Sequence, residues 1–139
     1  VLRDELTKAA EAVPPAFDEG EDVGDYAGRL YDYHRQCPEL IRLLCWEALT
    51  FDDEVPEEEL RREHYQRKIA GMRSGQDSGA LTRDVDPGAL MLMIMSLTGW
   101  WSTAPQVARM LCGPLDEEEH DRRRAVVVEA ARRLAAPRE

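Results

Sequence analysis

The sequence predicts an all-α domain, a helical bundle of about six or seven helices, and three observations carry that prediction. Apolar residues recur every three or four positions along most segments, no segment alternates with period two, and Pro14-Pro15, Pro38, Asp86-Pro87 and Gly113-Pro114 stand at the ends of periodic stretches. A length of 139 residues suits one domain with a single sizeable core, so 1–139 reads as one unit.

Leu2, Leu6, Ala9, Ala10 and Val13 make the first apolar stripe, and Pro14-Pro15 ends that helix. Beyond an acidic loop around Phe17, the residues Val23, Tyr26, Ala27, Leu30, His34 and Cys37 recur at helical spacing, with Asp22 placed as an N-cap and Pro38 as the stop. Pro38 also suits the first turn of a third helix running to Leu49, so apolar that it is expected near the centre of the domain. After an acidic turn from Phe51 to Pro56, a fourth helix from Glu57 to about Ser74 gains its apolar stripe late, at Tyr65, Ile69 and Met72. Its first half is expected to project into solvent.

Gly75 and Gly79 break that pattern, and Asp86-Pro87 opens a long apolar helix that bends or ends near Pro105 before continuing to Cys112. Gly113-Pro114 is a stop. Asp116 and Glu119 form a capping-box-like pair for a last helix running to about Ala136, with acids in its first turn and Arg132 and Arg133 near its end, as the helix dipole prefers. Its apolar arc is Val126, Val127, Val128, Ala130, Ala131, Leu134 and Ala135.

The fifth of these helices is the unusual one. From Pro87 to Ala108 the chain carries no charge, although 33% of all residues are charged. A helix apolar all round must bury more than one face. At 100° per residue Leu92, Ser96, Gly99 and Thr103 fall on one stripe, mostly small, and Leu90, Ile94, Leu97 and Trp101 on the opposite, bulky one. The helix therefore reads as a wall between an interior and a partner. A membrane span is the rival reading, but Pro105, Gln106 and the hydroxyl residues shorten the apolar part to roughly 16 residues, about 24 Å, and no basic cluster flanks it.

A formal net charge of -10 disfavours nucleic acid or an anionic membrane as direct partners of these residues. Cys37, Cys45 and Cys112 are an odd set without CxxC spacing and no signal peptide precedes them, so a cytoplasmic, reducing setting and three buried or half-buried thiols are expected. The chain opens on Val1, directly in a helical pattern, which suggests a fragment of a longer protein. No nucleophile motif, phosphate loop or paired-carboxylate signature is present, and no cofactor is implied. His34 and Cys37 have the i,i+3 spacing of metal ligands, yet no second pair completes a zinc set, so no metal is expected.

Two stretches carry a resemblance to a known family. Cys37-Pro-Glu-Leu-Ile-Arg-Leu-Leu-Cys-Trp-Glu-Ala-Leu49 resembles a central helix opening on a Pro-Glu pair, and Gly79-Ala-Leu-Thr-Arg-Asp-Val-Asp-Pro-Gly-Ala-Leu90 resembles the lead into an apolar dimer helix of the tetracycline-repressor (TetR) family of transcription regulators. The resemblance, to the family's C-terminal ligand-binding and dimerisation domain, spans nearly the whole chain. It implies a homodimer closed by a four-helix bundle, a small hydrophobic effector, no catalysis, and operator DNA contacted only through an N-terminal helix-turn-helix head absent from this sequence. The first helix then corresponds to the link between head and body, which the effector shifts to release the DNA. An effector pocket is expected from Leu30, His34, Cys45, Trp46, Leu49, Tyr65, Ile69, Met72, Met93, Ile94, Leu97 and Trp101, an apolar lining with a few polar handles. The dimer interface is expected from Leu92, Ser96, Gly99 and Thr103 with Val127, Ala131 and Leu134. Packing alone explains such stripes equally well, and the alternative function is an all-α enzyme or carrier of a hydrophobic small molecule.

Overall fold

Short-range chemistry sets the helix ends. In the computed structural model, which describes residues 1–15, 17 and 20–138, the helices are α1 (Leu2–Ala12), α2 (Val23–Gln36), α3 (Glu39–Thr50), α4 (Glu58–Asp77), α5 (Pro87–Thr103), α6 (Pro105–Cys112) and α7 (Glu117–Ala135). No strand occurs among the described residues. The acidic loop expected around Phe17 falls partly outside them, at 16, 18 and 19. Asp22, Asp86 and Asp116 cap α2, α5 and α7 by accepting from the backbone N–H of Asp25, Ala89 and Glu119 at 3.1, 3.2 and 2.8 Å. Pro87 and Pro105 occupy first-turn positions where no N–H is needed. Gly113 ends α6 at φ 92, a conformation that favours glycine.

Helix α2 is the axis of the bundle. It packs against α5 on one side and α7 on another, with α4 closing over α5 and α1 and α3 paired at one flank. Tyr26, Met72, Leu90, Ile94, Val127 and Thr98 are the largest side chains with essentially no exposure, and α2, α4, α5 and α7 each contribute to that set. The contact of α2 with α7 is close because Gly24 and Gly28 leave room for arginines. A Cβ on Gly24 would stand 2.6 Å from Arg132 Nε, and one on Gly28 2.7 Å from Arg124 Nη2. Arg132 thereby reaches Asp22 at 2.7 Å and Asp25 at 3.1 Å, and Arg124 reaches Asp32 at 3.0 Å. Such exposed pairs contribute roughly 0.2–1 kcal/mol each, so they set register more than stability.

Four expectations need correction. Helix α3 is peripheral rather than central: Leu40 and Ile41 are its buried residues, while Trp46 and Leu49 are 59% and 89% exposed. Its twelve residues turn one side, Leu40, Ile41 and Leu44, toward the bundle and the opposite side to solvent. The first half of α4 does not project freely, because buried Arg61 forms a two-pronged ion pair with Glu47 of α3 and also donates to Pro56 O at 3.2 Å. Gly75 does not end α4, which continues to Asp77; the glycine instead admits Leu81, whose Cδ1 lies 2.5 Å from where a Cβ would be. Among the thiols, Cys37 and Cys45 are half-buried but Cys112 is exposed.

The turn between α4 and α5 is held by one buried side chain. Gln76 Nε2 donates to Thr82 O at 2.9 Å and to Val85 O at 2.7 Å, while Thr82 N donates to Ala135 O at 2.8 Å and ties the turn to the end of α7. A Gln76→Met substitution keeps the volume and removes both donors. It should lower stability by about 1–3 kcal/mol, the usual cost of leaving buried acceptors unpaired. Urea unfolding checks this, and an unchanged midpoint would contradict the role assigned to Gln76.

Candidate functional site

The flank where α1 and α3 meet the bundle does not close completely. A cavity of about 110 Å³ remains between Leu6, Ala9, Ala10 and Val13 of the α1 region, Leu30, Tyr33 and His34 of α2, Leu40, Ile41 and Leu44 of α3, Arg61, His64, Tyr65 and Lys68 of α4, and Met95 of α5. Each helix presents these residues at i, i+3, i+4 or i+7, so the cavity is walled by single faces of five elements. Ala9 and Ala10 account for much of the empty space: two small residues stand where larger ones would fill it.

The polar groups of the wall are underused. Tyr33 Oη, His34 Nδ1 and Arg61 Nε are buried without a hydrogen-bond partner among the described residues. Lys68 Nζ donates to Tyr26 Oη at 2.7 Å and lies 5.4 Å from the Tyr26 ring centre. Burial, with Arg29 nearby, holds Lys68 down at about 8. His34 is pushed down to about 4 by burial and then by Lys68, so it is neutral at physiological pH. Burial raises the Tyr26 and Tyr33 phenols, which stay protonated.

The residues expected in a pocket divide into several groups. Leu30, His34 and Tyr65 line the cavity. Met72 and Ile94 are wholly buried in the core. Leu97 and Trp101 are half-buried and border an open groove of about 560 Å³ with Ile41, Met95, Ser96, Gly99, Trp100 and Thr103. The Trp101 indole N–H donates to Leu97 O at 3.0 Å and its ring carries the Arg123 guanidinium at 5.2 Å. Ile69 borders shallow clefts beside Tyr65, Met91 and Leu92. Cys45 and Met93 are half-buried away from the cavity lining, and Trp46 and Leu49 face solvent because α3 shows the bundle only its other side.

The interface residues also divide. Leu92 is 64% exposed, and Ser96 and Thr103 are exposed with it. Both hydroxyls donate back to their own helix, to Leu92 O at 2.8 Å and Gly99 O at 3.1 Å, leaving an apolar outer face. Gly99 borders the same groove but is buried there: a Cβ on it would stand 3.4 Å from Ile41 Cδ1 and 3.9 Å from His34 Nε2. Val127 and Ala131 are buried inside this chain, and Leu134 packs against the same core, because α7 turns these residues toward α2 and α5. Exposed apolar residues of the outer surface that the expectation missed are Trp100, Met110, Leu111 and Val126.

Sequence reasoning also missed the α1 and α3 walls and the cationic side of the cavity. Arg61, His64 and Lys68 do follow helical spacing, but their stretch is so charged that it reads as a solvated face. The His34 and Cys37 pair gains no third metal ligand, since no group of three such residues occurs among the described residues.

The described residues thus form an all-helical bundle that encloses a small cavity beside a helix with an uncharged outward face. The family model described as tetracyclin repressor-like, C-terminal domain, matches residues 22–133, and the chain belongs to that family. It is a domain of a transcription regulator, not an enzyme. The helix-turn-helix-type transcriptional repressor SCO4008 of Streptomyces coelicolor is 36% identical over 135 residues, covering 96% of this chain and 68% of the relative. The crystal structure of SCO4942, also from Streptomyces coelicolor, shares the fold with a TM-score of 0.73 at 22% identity, over 96% of this chain and 69% of that one. No helix among the described residues is long and apolar enough to cross a membrane.

The neutral state of His34 has a consequence for stability. Its pKa is about 4 in the folded chain and near 6.5 when unfolded, so between those values the unfolded state binds more protons. The stability linked to His34 is therefore complete above about pH 6.5 and is lost as pH falls toward 4. His34→Leu should flatten the fall in urea midpoint between pH 7.5 and 5 relative to the native chain; parallel curves would contradict the assignment.

Proposed function

We propose that this domain receives a small, largely apolar effector in the α1–α5 cavity and transmits its presence through α1 to a DNA-reading head, as part of a homodimeric TetR-family repressor. One observation carries the reading: α1 contributes Leu6, Ala9 and Ala10 to the cavity wall, so an occupant presses directly on the helix at the start of the chain. The name of the 36% identical relative, a helix-turn-helix-type transcriptional repressor, supports a DNA-reading head as part of such a regulator. A shift of α1 needs only a few kcal/mol of differential affinity between its two positions. Such a regulator works on operator DNA in the cytoplasm, which suits three free thiols.

The exposed apolar residues of α5, α6 and α7 support the homodimer. Leu92, Trp100, Met110, Leu111 and Val126 are exposed there, and each large side chain returned to an apolar contact gains about 1.5–3 kcal/mol. A second copy supplies that contact symmetrically, two helices from each chain making a four-helix bundle.

Targeted substitutions separate the two claims: Ala9→Phe fills the cavity from the α1 side, and Ala9 does not border the outer groove. Compounds that raise the melting temperature of the native chain should lose that effect in Ala9→Phe, measured by thermal shift; equal stabilisation of both would remove the effector from this cavity. Leu92→Glu together with Val126→Glu should convert the dimer to a monomer at micromolar concentration in sedimentation velocity. A native chain that sediments as a monomer, or a variant that remains dimeric, would overturn the interface.

A further inference from the structure

The charge of the cavity wall departs from that of the molecule. The chain has 28 acidic and 18 basic residues and a net charge of -10, yet no carboxylate lines the cavity while Arg61 and Lys68 both do. The two cations are not equivalent. Arg61 is neutralised by the carboxylate of Glu47 behind it. Lys68 has no ion-pair partner among the described residues, and its one hydrogen bond goes to a neutral phenol, the Tyr26 hydroxyl. An ammonium has three N–H donors, so two are uncommitted. Around the same cavity Tyr33 Oη and His34 Nδ1 are buried without partners, and each can donate.

We infer that the occupant is a compact apolar molecule bearing a single carboxylate, held by the Lys68 ammonium with help from His34. This rests on the cavity being the effector site. A half-buried cation without a counter-charge is unfavourable, and an arriving carboxylate supplies that charge in a poorly solvated place where such a bond is strongest. A neutral occupant leaves Lys68 as it was, and a cationic one meets Lys68 and Arg61 with like charge. With burial holding Lys68 at about 8, the group is predominantly an ammonium at pH 7. The space of about 110 Å³ lies well under the roughly 300–1,000 Å³ of sites for drug-sized ligands, so the apolar body is small.

Isothermal titration at pH 7 with matched probes tests this. Cyclohexanecarboxylate and hexanoate should each bind the native chain at least about tenfold tighter than the corresponding amide, the scale of one charge-assisted hydrogen bond. Lys68→Met should abolish that gap while leaving amide affinity within about threefold, and Lys68→Arg should retain a preference for the carboxylate. Far-UV circular dichroism verifies that the variants fold, and the native carboxylate-to-amide ratio is a test that needs no variant. Amides that bind the native chain as tightly as the carboxylates, cyclohexylmethylamine binding more tightly than either, or a gap that survives in Lys68→Met would each overturn the assignment. If none of these probes binds while another compound stabilises the native chain but not Ala9→Phe, the cavity is the effector site and its carboxylate specificity is wrong. If no compound distinguishes the native chain from Ala9→Phe, the effector site itself is misplaced and both readings fall.

Discussion

Burial of α5, a helix without a single charge, is the constraint that organises this domain. Leu90, Met91, Ile94 and Thr98 are taken up by α2, α4 and α7, which cover one side of the helix completely. The other side is left to Leu92, Ser96, Trp100 and Thr103, whose hydroxyls and amides are already satisfied within the helix. An outer face with no charge, whose two hydroxyls already donate to the helix's own carbonyls, gains little from water and much from an apolar surface. The same helix thus supplies the densest part of the core and the most water-averse part of the exterior, and the layout of the other helices follows from covering it.

Helix α2 manages two different contacts on two sides because its residues change character around the wheel. Toward α5 it shows Tyr26, whose hydroxyl lies 3.9 Å from Met91 Sδ; toward α7 it shows Gly24, Gly28, Asp25 and Asp32. The glycines let the stems of Arg124 and Arg132 lie flat across the helix, and the aspartates receive their head groups. Tyr31 and His120 add a side-chain contact at 3.2 Å along the same seam. The register of α7 on α2 is fixed by geometry and charge together, which is why Val127 and Ala131 point inward and cannot face a partner.

Helix positions were legible because caps and breakers act locally: Asp22, Asp86, Asp116, Pro38, Pro87, Pro105 and Gly113 mark ends that the structure keeps within one to three residues. Burial was legible for α5 and α2, where one stripe dominates. It was not legible for α3, whose composition is apolar on every side, so that hydrophobicity says nothing about which side faces inward or whether the helix is central. Trp46 and Leu49 were therefore placed in the pocket and lie in solvent. The cationic wall was hidden for the opposite reason. Arg61, His64 and Lys68 sit among exposed charges, and only the tertiary meeting of α4 with α1, α2 and α3 buries them. A cavity is a property of how helices fail to close, and no single stripe encodes that failure.

The placement of Met95 links the two halves of the proposed mechanism. Its side chain borders the internal cavity with His34 and Lys68, and it also borders the outer groove with Ser96 and Thr103. Methionine is unbranched and deformable, able to change rotamer at low cost where a β-branched residue is held. An occupant entering a space of about 110 Å³ must displace part of its wall, and the walls differ in stiffness. Helices α2 and α4 are locked by the ionic seam, by Gln76 and by packing onto α5, whereas α1 contributes one buried residue, Leu6, and packs chiefly on peripheral α3. The softest responses are therefore a displacement of α1 and a rotamer change at Met95. In the reading proposed above, the first reaches the DNA-reading head and the second reaches the dimer face, so one occupant acts on both through yielding parts of its enclosure.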